Sequence, residues 1–218
     1  MNKFTEQQIG IKVILMIVII DYGIGNLASV LNMFKKTGNS SVKISNKEED
    51  IKSASKILLP GVGAFDKGME NLEASGLIPI LNEKVLLEKV PLLGICLGMQ
   101  LLGKKSEEGQ KLGLGWIDAE TVKFNLAPEL KLKVPHMGWD YIKVNRRNPL
   151  VEVDTKSRFY FVHSYHVKCH DPYQSIATCK FGENFTCMVN KENIYGTQFH
   201  PEKSLKFGMK VFENFAKL

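Results

Sequence analysis

The sequence predicts an α/β protein: a mostly parallel central sheet flanked by helices, with antiparallel strands added in the C-terminal half. Three observations carry this. In the first half, short continuous apolar runs alternate with segments whose apolar residues recur at helical spacing, as strands buried on both faces and crossed over by helices require. Glycine-rich turns at residues 23–25, 61–63 and 94–98 each follow or end one of those runs. In the second half the helical spacing disappears, and short strand-like segments follow one another with turn signals between them.

Residues 16–20 are a continuous apolar run leading into Asp21-Tyr22-Gly23-Ile24-Gly25-Asn26. Leu27, Val30, Leu31 and Phe34 are spaced for a helix over Leu27–Lys36, which Gly38 closes. Residues 41–44 read as a strand, 48–54 as a short polar helix, and 56–59 as a buried strand running into Pro60-Gly61-Val62-Gly63-Ala64-Phe65. Helices are expected at 66–73 and 77–89. The apolar run 90–95 then ends in Gly94-Ile95-Cys96-Leu97-Gly98 and passes into an apolar helical segment at 99–102. Strands are expected at 121–124, 141–144, 159–162, 175–178, 186–190 and 194–198. A helix over 205–217, with Phe207, Val211, Phe212 and Phe215 on its apolar face, closes the chain.

A domain over residues 16–218 preceded by an extension, 1–15, fits this pattern. Hydrophobic residues make up 44% and charged residues 24%, the balance of an ordinary globular protein able to bury a full core. The net charge of +6 is modest, and no Lys/Arg cluster exceeds two residues, which argues against a nucleic-acid partner. Lys12 interrupts the apolar stretch 9–20, and the remaining run is too short to span a bilayer. No small-residue cleavage site follows it, so no secretory signal or membrane association is expected. Cys96, Cys169, Cys179 and Cys187 form no CxxC pair, which points to reduced thiols, a cytoplasmic address and no structural metal.

Strand, glycine-flanked cysteine and helix together make the pattern of a nucleophile elbow, a sharp turn that lifts one side chain clear of the backbone. The helix starting there turns N–H groups and a positive dipole end toward the Cys96 sulfur, which favours thiolate. Taken alone, the pattern fits a buried structural cysteine as well. A nucleophile needs a base, and the base an orienting acceptor. Of five histidines, His200 is the best placed: it ends an apolar strand, and Glu202 lies two residues on across a stiffening proline. His163 and His166 are three residues apart in a strand-like segment and are expected on opposite faces, which disfavours a metal pair. A tetrahedral intermediate also needs two donors at its oxyanion. Leu97 N–H is one candidate, and an amide of the Gly61-Val62-Gly63 turn, at Val62 or Gly63, is the other.

These residues carry a family resemblance. Gly94-Ile95-Cys96-Leu97-Gly98-Met99-Gln100 resembles the nucleophile motif of class I, triad-type glutamine amidotransferases, and Gln198-Phe199-His200-Pro201-Glu202-Lys203-Ser204 resembles their His-x-Glu motif. The turns at 21–26 and 60–63, with Pro135-His136-Met137-Gly138-Trp139 and Phe161-Val162-His163-Ser164-Tyr165, resemble the glutaminase subunits of imidazole glycerol phosphate synthases. The match runs from about residue 16 to the C-terminus.

The resemblance implies the class I amidotransferase fold and hydrolysis of L-glutamine to glutamate and ammonia, with no cofactor and no metal. Cys96 would attack, His200 would move the proton, and Glu202 would orient His200. Gln100 and the backbone around Gly63, Ser164 and Tyr165 would hold glutamine. The implied partner is a (β/α)8-barrel cyclase, in a heterodimer, that uses the ammonia in histidine biosynthesis. Asn26, Trp139, Tyr160 and Lys203 match positions expected at that interface.

Two departures keep alternatives open at this level. Asp140 stands where the family usually has Asn, and the segments 101–106 and 113–118 look closer to a paralogous group that supplies ammonia for sugar amidation in surface-polysaccharide synthesis. A non-catalytic binding subunit with this fold and a cysteine peptidase are further readings.

Overall fold

The computed structural model describes residues 15–38, 41–153 and 156–218. All but one residue of the extension expected at 1–15 therefore lies outside the described residues. Strands β1 (Ile17–Ile20), β2 (Val42–Ser45), β3 (Lys56–Gly61) and β4 (Leu92–Cys96) alternate with helices α1 (Leu27–Lys36), α2 (Glu48–Lys52), α3 (Phe65–Ala74) and α4 (Ile78–Asn82). Helix α5 (Leu97–Leu101) follows β4 directly. The second half contributes β5 (Ala119–Lys123), β6 (His136–Val144), β7 (Arg158–His163), β8 (Tyr165–Cys169), β9 (Ser175–Phe181), β10 (Glu183–Lys191) and β11 (Ile194–Thr197), and α6 (Leu205–Ala216) closes the fold.

One sheet runs in the order β2-β1-β3-β4-β11-β10-β9-β6-β7, with β8 joining β10 to β5. The first five strands in that order are parallel, and pairing turns antiparallel at β11–β10. Consecutive residues of β1 feed separate cores on its two faces: Ile17 and Ile19 pack with Phe34, Phe212 and Phe215, while Val18 and Ile20 pack with Phe65, Leu72 and Leu81. This two-sided burial is why β1, β3 and β4 read as unbroken apolar runs. Val211, Phe212 and Phe215 of α6 are buried, and Phe212 lies 4.6 Å from Phe34 of α1, ring centre to ring centre.

The α/β class and its antiparallel extension agree with the sequence reading; several boundaries differ. The helix expected over 77–89 ends at Asn82 and continues as a π-helical turn, Glu83–Leu87, closed by the Glu88 N–H donating to the Glu83 carbonyl at 3.0 Å. β6 begins five residues before the expected strand at 141–144, and β8 was not expected at all. Among the described residues, no helix is long and apolar enough to cross a membrane.

Candidate active site

Cys96 ends β4 and caps α5 with φ 53° and ψ −111°, a left-handed backbone that costs a non-glycine residue about 1–3 kcal/mol. The flanking glycines let the turn close. A Cβ on Gly98 would drive into the Leu59 carbonyl of β3, and one on Gly94 would meet the Gly98 carbonyl oxygen at 2.8 Å. The turn therefore lies flat on its neighbouring strand, and the sulfur projects from the carboxyl end of the sheet.

Register brings the other parts to the same edge. Gly61 of β3 stands opposite Cys96, so the turn at 61–63 leaves the sheet beside the sulfur. Thr197 of β11 pairs with Ile95, which carries Gln198 and His200 past Cys96 on the other side. His200 is held by its own backbone: its N–H donates to the Tyr160 carbonyl at 2.9 Å, and the Ser204 hydroxyl donates to its carbonyl at 2.6 Å. The 3-10 turn Pro201–Lys203 then folds Glu202 back, placing Oε1 2.7 Å from His200 Nδ1. Both side chains are 2–3% exposed.

Among the described residues His200 Nε2 has no hydrogen-bond partner, and its ring lines the same cavity as Cys96. Burial by itself would make His200 a weaker base. The neighbouring Cys96 and Glu202 outweigh it and raise the imidazolium to about 10, the behaviour of a cation held between two anions.

The cavity encloses about 440 Å³. Its walls bring together Cys96 and His200, the donor candidates Val62, Gly63 and Leu97, and the binding candidates Gln100, Ser164 and Tyr165. Glu202 stands behind His200. Gly63 has φ +97°, a conformation that suits glycine, in the turn that lines this space. Lys203 reaches the rim and sets its Nζ 5.6 Å over the Tyr160 ring. Tyr160 meets Trp139 edge-on at 6.2 Å, and Arg158 lies 5.4 Å over Trp139. Lys203, Tyr160 and Trp139 thus form a continuous strip from the cavity rim to the outer face of β6, where Met137, Trp139 and Tyr141 are exposed. Asn26 lies away from the cavity lining and accepts the Ser29 N–H at 3.4 Å as the cap of α1.

Three residues not singled out from sequence belong to this site. Gln198 is fully buried; its Nε2 donates to Cys96 Sγ at 3.8 Å, and its Oε1 accepts from Gln100 Nε2 at 3.0 Å. Its place two residues before His200, just past the end of β11 at Thr197, is the signal in the sequence. Glu108 lines the cavity, with Oε2 accepting the Phe65 N–H at 2.9 Å, but it sits in an irregular segment without any periodic signal. Tyr22 is buried near Gly61 with its hydroxyl unpaired among the described residues, and burial, helped by Cys96, raises its phenol above the usual range. The expectation for His163 and His166 needs correction. Ser164 breaks the strand between β7 and β8, and both rings pack on Phe124, at 5.3 and 4.7 Å between centres.

Comparison with known proteins identifies the family. A family model described as glutamine amidotransferase class-I matches residues 18–218. The chain is 56% identical to a Methanococcus maripaludis protein named imidazole glycerol phosphate synthase subunit HisH 2, over 93% of this chain and 99% of that one. It is 50% identical to a Pseudomonas aeruginosa protein of the same name, over 93% of this chain and all of that one. Among solved structures, a glutamine amidotransferase superposes with a TM-score of 0.71 at 16% identity, covering 92% of this chain and 99% of that one. The PurLQS structure from Thermotoga maritima gives 0.70 at 16% identity, covering 93% and 97%. At these identities the structures speak for the fold alone.

Proposed function

The chain belongs to the class-I glutamine amidotransferase family, and from that premise we propose that it is the glutaminase subunit of an imidazole glycerol phosphate synthase, working in histidine biosynthesis. The observation that carries the chemistry is the buried His200–Glu202 pair, whose free Nε2 shares one cavity with Cys96 at a strained elbow.

The reaction follows from the groups present. Cys96 Sγ attacks the side-chain amide carbon of L-glutamine, and the carbonyl oxygen takes up the negative charge. Leu97 N–H and an amide of the Val62-Gly63 turn receive that oxyanion, aimed before the charge develops. His200, protonated at neutral pH, gives its proton to the departing nitrogen, which leaves as ammonia. The thioester remains on Cys96. Water then attacks it, His200 takes the water's proton, and glutamate is released as the sulfur recovers its electrons. Glu202 keeps Nδ1 occupied, so that Nε2 is the nitrogen that moves the proton.

Gln100, Ser164 and Tyr165 position the substrate, and Glu108 adds a carboxylate suited to the ammonium of an amino acid. The partner is a (β/α)8-barrel cyclase that receives the ammonia in a heterodimer. The strip of Lys203, Tyr160 and Trp139 supports docking there, since an exposed aromatic beside the cavity rim is the kind of residue that anchors an interface. Four free cysteines support a cytoplasmic address. Neither a sugar-amidating role nor a non-catalytic one gains support from the relatives' names.

The deciding experiment measures glutamate release by the purified chain with and without the cyclase and its ribotide substrate. Stimulation by that pair is the expected result. Peptide cleavage without glutamine turnover would overturn the reading.

A further inference from the structure

A second set of polar groups, which the glutaminase mechanism does not use, ends on the same cavity. Asp140 Oδ2 lies 2.6 Å from His136 Nε2, His136 Nδ1 lies 3.1 Å from His163 Nε2, and His163 Nδ1 lies 2.8 Å from the Tyr165 carbonyl oxygen. That oxygen also accepts from Gln100 Nε2 at 3.2 Å, and Gln100 continues through Gln198 to the Cys96 sulfur. The chain therefore runs without a break from Asp140, part-exposed beside Trp139, to the nucleophile.

Counting protons shows what is unusual about it. Both ends of the segment from Asp140 to Tyr165 are acceptors: a carboxylate and a carbonyl oxygen. Three contacts lie between them, and each needs one hydrogen. Two neutral imidazoles bring only two. With a charged Asp140, the carboxylate draws an N–H onto His136 Nε2, and His136 Nδ1 must then accept from His163 Nε2. The bare Nδ1 of His163 is then left facing the Tyr165 oxygen, two acceptors in repulsion across 2.8 Å. A donor at position 140 reverses the order: both imidazoles carry their hydrogen on Nδ1, and all three contacts become hydrogen bonds.

We propose that Asp140, His136 and His163 are positioning residues of the glutaminase site, in which the charge on Asp140 selects the nitrogen of His163 that carries the proton and thereby whether the Tyr165 carbonyl beneath Gln100 is held. The proposal rests on reading Cys96 as the glutaminase nucleophile.

The surroundings keep both imidazoles neutral, as this arrangement needs. His136 is buried and lies flat against Phe161 and Phe181. Its titratable neighbours are Asp140, His163 and the Cys179 thiol, whose sulfur lies within 4.8 Å of the His136 and Asp140 ligand atoms. His163 faces His136, His166 and His200, and burial is the main force lowering it, to about 3. Burial lowers His136 as well, against the pull of Asp140. The third hydrogen therefore has to come from the Asp140 end.

The test compares the full-length chain with its Asp140→Asn variant, whose amide supplies that hydrogen without changing the side chain's size. Labelling histidine with nitrogen-15 reports which ring nitrogen is protonated. At pH 8 His163 is expected to carry its proton on Nε2 in the wild type and on Nδ1 in Asp140→Asn. With the partner present, glutamine kcat/KM at pH 8 should be higher in the variant by about fivefold, the worth of one net hydrogen bond. The same tautomer in both proteins, or equal kcat/KM, overturns the proposal. Absence of glutamine turnover in both would instead sink the glutaminase reading, and the nitrogen shifts would still decide the tautomer.

Discussion

The amide of Gln198 donates to the sulfur of Cys96 at 3.8 Å while its carbonyl accepts from Gln100, so the nucleophile is steadied from the strand that also delivers His200. An N–H aimed at a thiolate favours the charged form and fixes its direction. Replacing Gln198 with Leu keeps the volume and removes the donor. We expect the alkylation rate of Cys96 by iodoacetamide at pH 7 to fall about tenfold, since hydrogen bonds to charged groups are worth about 1.5–3 kcal/mol. An unchanged rate in a folded Gln198→Leu protein would argue that the contact is incidental.

Cys96→Ala should abolish glutamine-dependent turnover, while the partner's reaction continues when ammonia is supplied directly. Both arms matter. Loss of the ammonia-dependent reaction as well would mean that the substitution had damaged docking rather than chemistry.

The His200–Glu202 pair gives a prediction in pH. Glu202 and Cys96 hold His200 at about 10, so in the wild type its imidazole stays protonated between pH 6 and 9. Glu202→Gln removes one of the two anions and leaves burial in place, which moves the titration down, toward or below the ordinary value of about 6.5. The nitrogen resonances of His200 should then titrate inside that window, and kcat should fall by about 100-fold or more, the usual worth of a positioned acid–base group. A flat titration in Glu202→Gln would show that Cys96 alone controls the imidazole.

How much of this the chain discloses depends on the range of the interaction. The elbow was legible because it is local: Gly94, Cys96 and Gly98 lie within five residues, and the steric demand of Leu59 on Gly98 leaves a glycine in the sequence. His200 and Glu202 were legible for the same reason. The parallel strands were legible through two-sided burial, which forces unbroken apolar runs. His163 and His166 were misplaced because the break at Ser164, which turns both rings onto Phe124, is imposed by the pairing of β8 with β5 and β10. β8 itself was missed for want of an apolar run: Lys168 is exposed and Tyr165 is only half-buried. Glu108 reaches the cavity through an irregular segment that no periodicity describes.

Glu108 invites a test that separates charge from shape. In Glu108→Gln the amide oxygen can still accept the Phe65 N–H, so the turn should persist, but the negative charge in the cavity is lost. We expect the KM for glutamine to rise about tenfold with little change in kcat, the pattern of an interaction made equally in ground and transition states. A glutamine analogue lacking the α-ammonium should not distinguish the two proteins. Equal KM values for glutamine would remove Glu108 from substrate binding.

Trp139 tests the outer face. The residue is 38% exposed, its ring supported by Tyr160 edge-on and by Arg158 above, so it is presented as a rigid apolar plate that costs little ordering on binding. Trp139→Ala removes the plate while leaving Cys96, His200 and Glu202 untouched. Partner affinity, measured by titration calorimetry, should weaken by about 30-fold or more, the effect of losing an interface anchor worth about 2 kcal/mol. Glutamine turnover by the isolated chain should stay the same. Stimulation by the partner should return at partner concentrations raised in proportion. If turnover of the isolated chain falls instead, Trp139 serves the cavity through Tyr160 and Lys203, and the docking surface lies elsewhere.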